Sequence, residues 1–362
     1  MTDSRTGALV LVAGGGTGGH LYPGLALADV LVADGLRVGF VGTATGIEAR
    51  VVPETGHPLH LLPARQLRGG GPGRAVVGAL AAVGSVGGAL KLLRRVRHGL
   101  VVGVGGYASV AVVVAAALAR VPALLMEQNA IPGAANRLLA RVARRVCVGF
   151  AESAAYLPAG RAVHTGNPVR AEVLRAAART PHARPGLLVF GGSAGARHLN
   201  QAVLEALRLL GPRARTLEIA HQTGAADMDT VRAGYEALGL TARVAPFIAD
   251  MGAAYARADL VVARAGAMSC AEITAVGLPS ILVPYPWAAD DHQRRNAEVL
   301  VAAGAAEVIL DRELTGERLA VSLGALLDDG GRRAAMAAAA SALGRPDAAA
   351  RVAAECRALL GA

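Results

Sequence analysis

One local pattern occurs twice in this chain, about half its length apart, and it narrows the fold more than any other feature. Residues 8–12 form an apolar run that leads into Gly14-Gly15-Gly16-Thr17-Gly18-Gly19-His20 and then a helix-length segment to residue 33. Residues 186–190 form a second run, followed by Gly191-Gly192-Ser193-Ala194-Gly195-Ala196-Arg197 and a helix-length segment to residue 210. Strand, glycine loop and helix in that order open a doubly wound α/β domain, where glycine lets backbone N–H groups approach a phosphate at the helix start. Two openings predict two Rossmann-like domains, and 362 residues suffice for both.

Further apolar runs alternate with helix-length segments, at 37–42, 100–104, 123–127 and 145–149, then at 216–222, 241–244, 260–263 and 280–284. The turn cluster Gly166-Asn167-Pro168 divides the two sets. It places the domains at 1–167 and 168–345, with the Ala-rich stretch 346–362 as a helix able to pack back on the first. Aromatic residues are only 3% of a chain that is 53% apolar. Ala, Val and Leu must therefore fill both cores, which suits helices packed on parallel sheets.

The formal charge of +10 attracts anions in general. Lys91 is the single lysine, and no basic run is interleaved with aromatics, so nucleotide phosphate or anionic lipid is expected rather than nucleic acid. Cys147, Cys270 and Cys356 are isolated in apolar surroundings and read as reduced, buried residues of a cytosolic protein. The amino terminus shows no signal-peptide pattern. Residues 100–119 carry no charge and are long enough for a bilayer, but Gly103, Gly105 and Gly106 interrupt them, so they read as a buried strand, a loop and a buried helix at 109–119.

The first loop is not the GxGxxG of dinucleotide enzymes, and Phe40-Val41-Gly42-Thr43 puts no acid at the end of the second strand, which argues against a nicotinamide cofactor. His20 stands where that loop meets its helix, either as a structural residue or as a base for an attacking hydroxyl. In the second half, Ser193 suits phosphate oxygens. Glu272 falls in the first turns of a helix after Arg264-Ala265-Gly266, as a partner of the helix dipole or as an acceptor for ribose hydroxyls. Asp290-Asp291-His292-Gln293-Arg294-Arg295-Asn296-Ala297 follows a strand end, where open α/β sheets bind ligands. Asp290 and Asp291 lack a third ligand, so neither an essential metal nor a cofactor is expected.

GGGTGGH at 14–20, GGYAS at 105–109, EQN at 127–129, GNPVR at 166–170, GGSAGAR at 191–197, RAGAMS with Glu272, and the HQ and NA pairs at 292–297 together resemble the MurG glycosyltransferases of bacterial peptidoglycan synthesis. The resemblance spans nearly the whole chain in order. It implies a GT-B fold, two Rossmann-like doubly wound domains facing a cleft. It also implies a hexosyltransferase that moves N-acetylglucosamine from UDP to the C4 hydroxyl of lipid I, the undecaprenyl-pyrophosphoryl muramoyl-pentapeptide, giving lipid II with inversion. By that resemblance Thr17, Gly18 and Gly19 line the acceptor side, with Asn129 beside the transferred sugar. Arg170 and Ser193 contact the nucleotide, Ile248 sets backbone groups against uracil, and Ala267, Met268, Ser269, Cys270, Ala271 and Glu272 hold phosphate and ribose. Gln293, or its neighbour His292, holds the sugar hydroxyls. His20 is the first choice for the base and Glu127 the second. Ala265 stands where the family often has Ser, and Ser269 where it often has Thr.

Residues 74–98 read as a helix with an apolar middle too short to span a bilayer and with Arg74, Lys91, Arg94, Arg95 and Arg97 at its ends. It is either a buried helix with a solvated basic end or, as the lipid-linked acceptor favours, a surface docking on anionic lipid at the cytoplasmic face of the membrane. The alternatives are a GT-B transferase with another glycolipid or small-molecule acceptor, a UDP-sugar epimerase of similar fold, and a nucleotide-sugar-binding scaffold without turnover.

Overall fold

The structure, a computed structural model, describes residues 8–62, 72–95, 99–178, 184–192 and 195–361, and of residues 72–83 and Tyr107 the backbone alone. The chain divides into two compact units, Met1–Pro168 with Asp347–Ala362, and Val169–Pro346.

The first unit runs β1 (Leu9–Gly14), α1 (Gly18–Ala33), β2 (Arg37–Gly42), α2 (Glu48–Glu54), β3 (Leu59–Leu61), α3 (Pro72–Arg95), β4 (Leu100–Gly105), α4 (Gly106–Leu118), β5 (Ala123–Glu127), α5 (Ala134–Leu139), β6 (Arg145–Val148) and β7 (Ala162–His164). Its strands are parallel in the order β3-β2-β1-β4-β5-β6-β7. The order reverses between β1 and β4, so the loops after these two strands leave in opposite directions and open a crevice at the carboxyl edge of the sheet. Alternate side chains of each strand serve opposite faces. Leu11, Val101 and Leu125 join Ala89, Leu93 and Val112 on one face, while Val10, Val12 and Val102 pack with Leu27 and Leu31 of α1 on the other. The uncharged stretch 100–119 supplies β4 and the whole of α4, and no helix among the described residues is long and apolar enough to cross a membrane.

The second unit runs α6 (Ala171–Arg175), β8 (Gly186–Phe190), α7 (Arg197–Leu210), β9 (Glu218–Gln222), α8 (Met228–Ala237), β10 (Ala242–Ala245), α9 (Met251–Ala256), β11 (Leu260–Ala263), α10 (Ala267–Val276), β12 (Ser280–Leu282), α11 (His292–Ala302), β13 (Ala306–Val308), α12 (Gly316–Asp328) and α13 (Gly330–Leu343). Its strands are parallel in the order β10-β9-β8-β11-β12-β13. In α7, Leu199, Val203, Ala206, Leu207 and Leu210 recur at helical spacing and pack with Leu319, Leu323 and Leu326 of α12.

A last helix, α14 (Ala348–Leu360), belongs to the first unit. Val352, Ala353 and Cys356 are buried in the cluster that holds Leu27 and Leu31, and Glu355 pairs with Arg145 at 3.3 Å while Arg357 pairs with Asp34. All three cysteines are free and buried. Burial pushes the thiols of Cys270 and Cys356 up to about 12, so both stay protonated.

Within the second unit His221 on β9 is fully enclosed, with Nδ1 2.9 Å from the Tyr235 hydroxyl and Nε2 3.1 Å from Asn200 Oδ1. Burial lowers its pKa to about 4, against about 6.5 in an unfolded chain. The unfolded state therefore takes up the proton first. Stability is expected to fall as pH drops below about 6.5 and to level out near pH 4, with a loss of about 3 kcal/mol from this residue. Urea unfolding at steps between pH 7 and pH 4 checks this, and His221→Asn should flatten the pH dependence by about that amount.

Candidate active site

The carboxyl edge of the first sheet is built from interlocked glycine loops. Gly14, Gly15 and Gly16 have φ of +142°, +145° and +83°, and Gly105 and Gly106 have +107° and +80°. These are values that side chains oppose. A Cβ on Gly14 would overlap the Gly105 carbonyl and one on Gly106 would press on the Gly15 carbonyl, so only glycine lets the two turns touch. The Gly15 N–H donates to the Gly105 carbonyl at 3.3 Å. Thr17 is the N-cap of α1, and Gly18, Gly19 and His20 form its first turn. The His20 ring lies against Gly105, where a Cβ would come within 2.6 Å of Nδ1. His20 is half-buried, and with Thr17, Gly16, Thr43, Thr45 and Glu48 it lines a cavity of about 220 Å³.

Glu127, the alternative base, ends β5 and is 2% exposed. Its Oε1 accepts the Asn129 N–H at 2.9 Å and the Asn129 amide at 3.3 Å, and its Oε2 accepts the Gly133 N–H at 3.1 Å and the Asn136 amide at 2.8 Å. Gln128 donates to the Val104 carbonyl at 3.1 Å, and Asn167 donates to the Gln128 carbonyl at 2.9 Å. The Ser153 hydroxyl donates to the Asn129 carbonyl at 2.6 Å. The EQN segment is thus a pinned loop in which the carboxylate organises four donors.

In the second unit, Ser193 lies outside the described residues, while Gly192 and Gly195 flank it with φ of +92° and +79°. Gly195 packs so closely on the Thr223 carbonyl that a Cβ would overlap it. Gln222, at the end of β9, spans two loops. Its amide donates to the Gly192 carbonyl at 3.0 Å, and its Oε1 accepts the Ile248 N–H at 2.8 Å. Phe247, Ile248 and Ala249 border a cavity of about 300 Å³ beside β9 and β10.

The start of α10 presents helix N–H groups. Its first intrahelical bond of this turn runs from the Cys270 N–H to the Gly266 carbonyl at 2.9 Å, so the amides of Ala267, Met268 and Ser269 have no helical acceptor. Cys270 is buried and Ala271 half-buried. Glu272, one turn in, accepts from the Tyr255 hydroxyl at 3.1 Å and from Arg170 at 3.4 Å, and Arg170 also lies 3.2 Å from Glu172. Burial raises the Glu272 pKa, against the pull of Arg170 and Tyr255. Beyond β12, Gln293 Oε1 accepts the Tyr285 N–H at 2.9 Å, and His292 Nδ1 lies 2.7 Å from the Ala289 carbonyl. Asp290 and Asp291 just before them take the left-handed conformation, with φ of +53° and +52°.

The structure groups Thr17, Gly18, Gly19 and His20 in one unit with Glu127 and Asn129, and Arg170, Ile248, Ala267 to Glu272 and Gln293 in the other. Sequence reading passed over Glu48, Gln222 and Tyr255, which hold these loops in place. For Glu48 a signal existed: glycines at 42 and 46 before a lone acid, with three more at 14–16.

Residues 10–148 match the Glycosyltransferase family 28 N-terminal domain and residues 186–352 its C-terminal domain. A curated UDP-N-acetylglucosamine--N-acetylmuramyl-(pentapeptide) pyrophosphoryl-undecaprenol N-acetylglucosamine transferase of Anaeromyxobacter dehalogenans is 48% identical over 97% of this chain and 93% of its own length. The crystal structure of Acinetobacter baumannii MurG superposes with a TM-score of 0.79 at 31% identity, covering 97% of this chain and 99% of that one. The chain belongs to the MurG family. Its two parallel-sheet units are those of the GT-B fold. A UDP-GlcNAc 2-epimerase from Neisseria meningitidis shares that fold, with a TM-score of 0.67 at 12% identity over 96% of this chain and 99% of that one.

Glu127 is committed to four donors, and this sets what its substitution does. Glu127→Gln puts an amide N–H₂ against donors, so it should cost about 2 to 4 kcal/mol in stability. Any loss of turnover should track that destabilisation and leave the pH profile of kcat in place. Thermal melts and steady-state rates on the same preparation measure both.

Proposed function

We propose that this MurG-family chain is an inverting glycosyltransferase that moves N-acetylglucosamine from UDP-N-acetylglucosamine to the C4 hydroxyl of lipid I, forming lipid II. The observation that carries the reading is the 48% identity, end to end, with a transferase named for that donor and acceptor. The donor belongs to the second unit. The carbonyl of Ile248 faces the uracil, since its N–H is engaged by Gln222. Glu272 takes the ribose hydroxyls on lone pairs that Tyr255 and Arg170 leave, since each carboxylate oxygen has two. Breaking the sugar–phosphate bond leaves negative charge on UDP, and the outward amides of Ala267, Met268 and Ser269 stabilise it together with the dipole of α10. Ser193 and Arg170 add phosphate contacts, and Gln293 turns its amide to a sugar hydroxyl. In the first unit Thr17, Gly18, Gly19 and Asn129 border the acceptor, and His20 takes the proton of the attacking hydroxyl.

Membrane contact has its own support. The helices α3, α4 and α5 cover one face of the first sheet, and each precedes a strand, so their carboxyl ends share the amino edge of β4, β5 and β6. In α3, Ala89 and Leu93 are buried in the core, so the apolar side of its carboxyl half faces inward. Exposed apolar groups lie instead at Leu118, Leu138 and Val142, 66%, 62% and 50% exposed. Exposed Lys91, Arg94, Arg95, Arg120, Arg141 and Arg144 occupy the same helix ends. An apolar patch with a basic rim suits anionic lipid at the cytoplasmic face.

His20→Ala is expected to lower kcat by roughly 10² to 10⁴ while UDP affinity stays within about twofold. UDP release with lipid I as acceptor, beside a UDP titration, measures the two. Near-normal kcat removes His20 from the chemistry. The triple variant L118E/L138E/V142E should sediment with phosphatidylglycerol vesicles at least about fivefold less than the parent. Rates with a short-chain soluble acceptor should be unchanged.

A further inference from the structure

We infer that Glu48 is a positioning residue for the transfer reaction, an internal anion that occupies the first glycine loop and fixes it around His20. This rests on the proposed role of His20 as base.

Glu48 is the first residue of α2 and is 1% exposed, yet its carboxylate points away from its own helix into the loop after β1. Oε2 accepts the Gly16 N–H at 2.7 Å, and Oε1 accepts the Thr43 N–H at 2.8 Å and the Thr43 hydroxyl at 3.0 Å. The surrounding backbone is cut to admit it. A Cβ on Gly15, Gly42 or Gly46 would overlap the carboxylate or its stem, so glycines from two separate loops make the space. In doubly wound domains that bind nucleotides, the N–H groups of this loop hold a ligand phosphate. Here the carboxylate already satisfies the Gly16 N–H, which leaves that amide committed to the fold.

The consequence reaches His20 through contacts. Glu48 holds Gly16, the Gly15 N–H holds the Gly105 carbonyl, and Gly105 carries the imidazole against its backbone. Glu48, Gly16, Thr43 and His20 also line one cavity. Loss of the carboxylate frees the loop whose turn sets His20 over that cavity, and a base displaced by about 1 Å loses rate on the order of 10²-fold.

The experiment uses the full chain. Glu48→Gln keeps the volume but offers an N–H₂ to backbone donors, and it should lower kcat by about 10- to 100-fold with UDP affinity within about twofold. Glu48→Ala leaves a space the size of a small carboxylate, so sodium formate or acetate should raise its kcat at least about fivefold, an effect matched chloride does not give. Rescue by a carboxylate is a readout that general destabilisation does not produce. Wild-type turnover in Glu48→Gln would overturn the inference, as would a loss that follows the melting temperature without rescue. If Glu48→Ala does not fold, the kcat and UDP affinity of Glu48→Gln decide alone. Absence of transfer by the parent chain, or normal kcat in His20→Ala, would instead strike the functional reading itself.

Discussion

A parallel strand ends in backbone donors that its neighbours cannot satisfy, and every ligand-facing loop of this fold hangs from such an end. The chain meets that constraint with buried side chains that are themselves part of the loops. Glu48 closes the loops after β1 and β2, and Glu127 closes the one after β5. Gln222 ties the loop after β8 to the one after β10. Each would be costly to bury without partners, and each has them. The loops are consequently fixed by polar groups, while the sheets beneath them are fixed by Val, Leu and Ala.

This division explains what could be read in advance. Both glycine loops and the strands at 186–190 and 260–263 stand out because a strand buried on both faces is a continuous apolar run. The strands at 59–61 and 162–164 escaped notice because each has three residues on a sheet edge, too few for any period to show. The helix at 330–343 was missed for another reason: its Ala-rich sequence carries little contrast between faces. The helix at 316–328 did carry a signal, with Leu319, Leu323 and Leu326 at helical spacing on its buried side.

For the site, residue types and order were legible, but the use of each side chain was not. Glu127 stood second to His20 as a base, and only the structure shows four donors converging on it. Glu272 read as a dipole partner or a ribose acceptor in the first turns of a helix, and the structure adds that Tyr255 and Arg170 meet both its oxygens. Tyr255 lies seventeen residues before Glu272, and Asn136 nine after Glu127. Contacts of that kind depend on how loops close, which local periodicity does not encode.

The helix α14 gives the first unit an unusual history. Its buried Val352, Ala353 and Cys356 complete a core whose other members come from residues 10 to 147. During synthesis at about 5 to 20 residues per second, that core waits on the order of ten seconds or more while the intervening unit emerges. Until then the groove over α1 is an uncovered apolar surface on a nascent chain. The second unit, by contrast, is contiguous from Val169 to Pro346 and can fold as it leaves the ribosome. The part of the chain made first is therefore finished last, and substitutions along α14 bear on how long it stays open to chaperones and proteases.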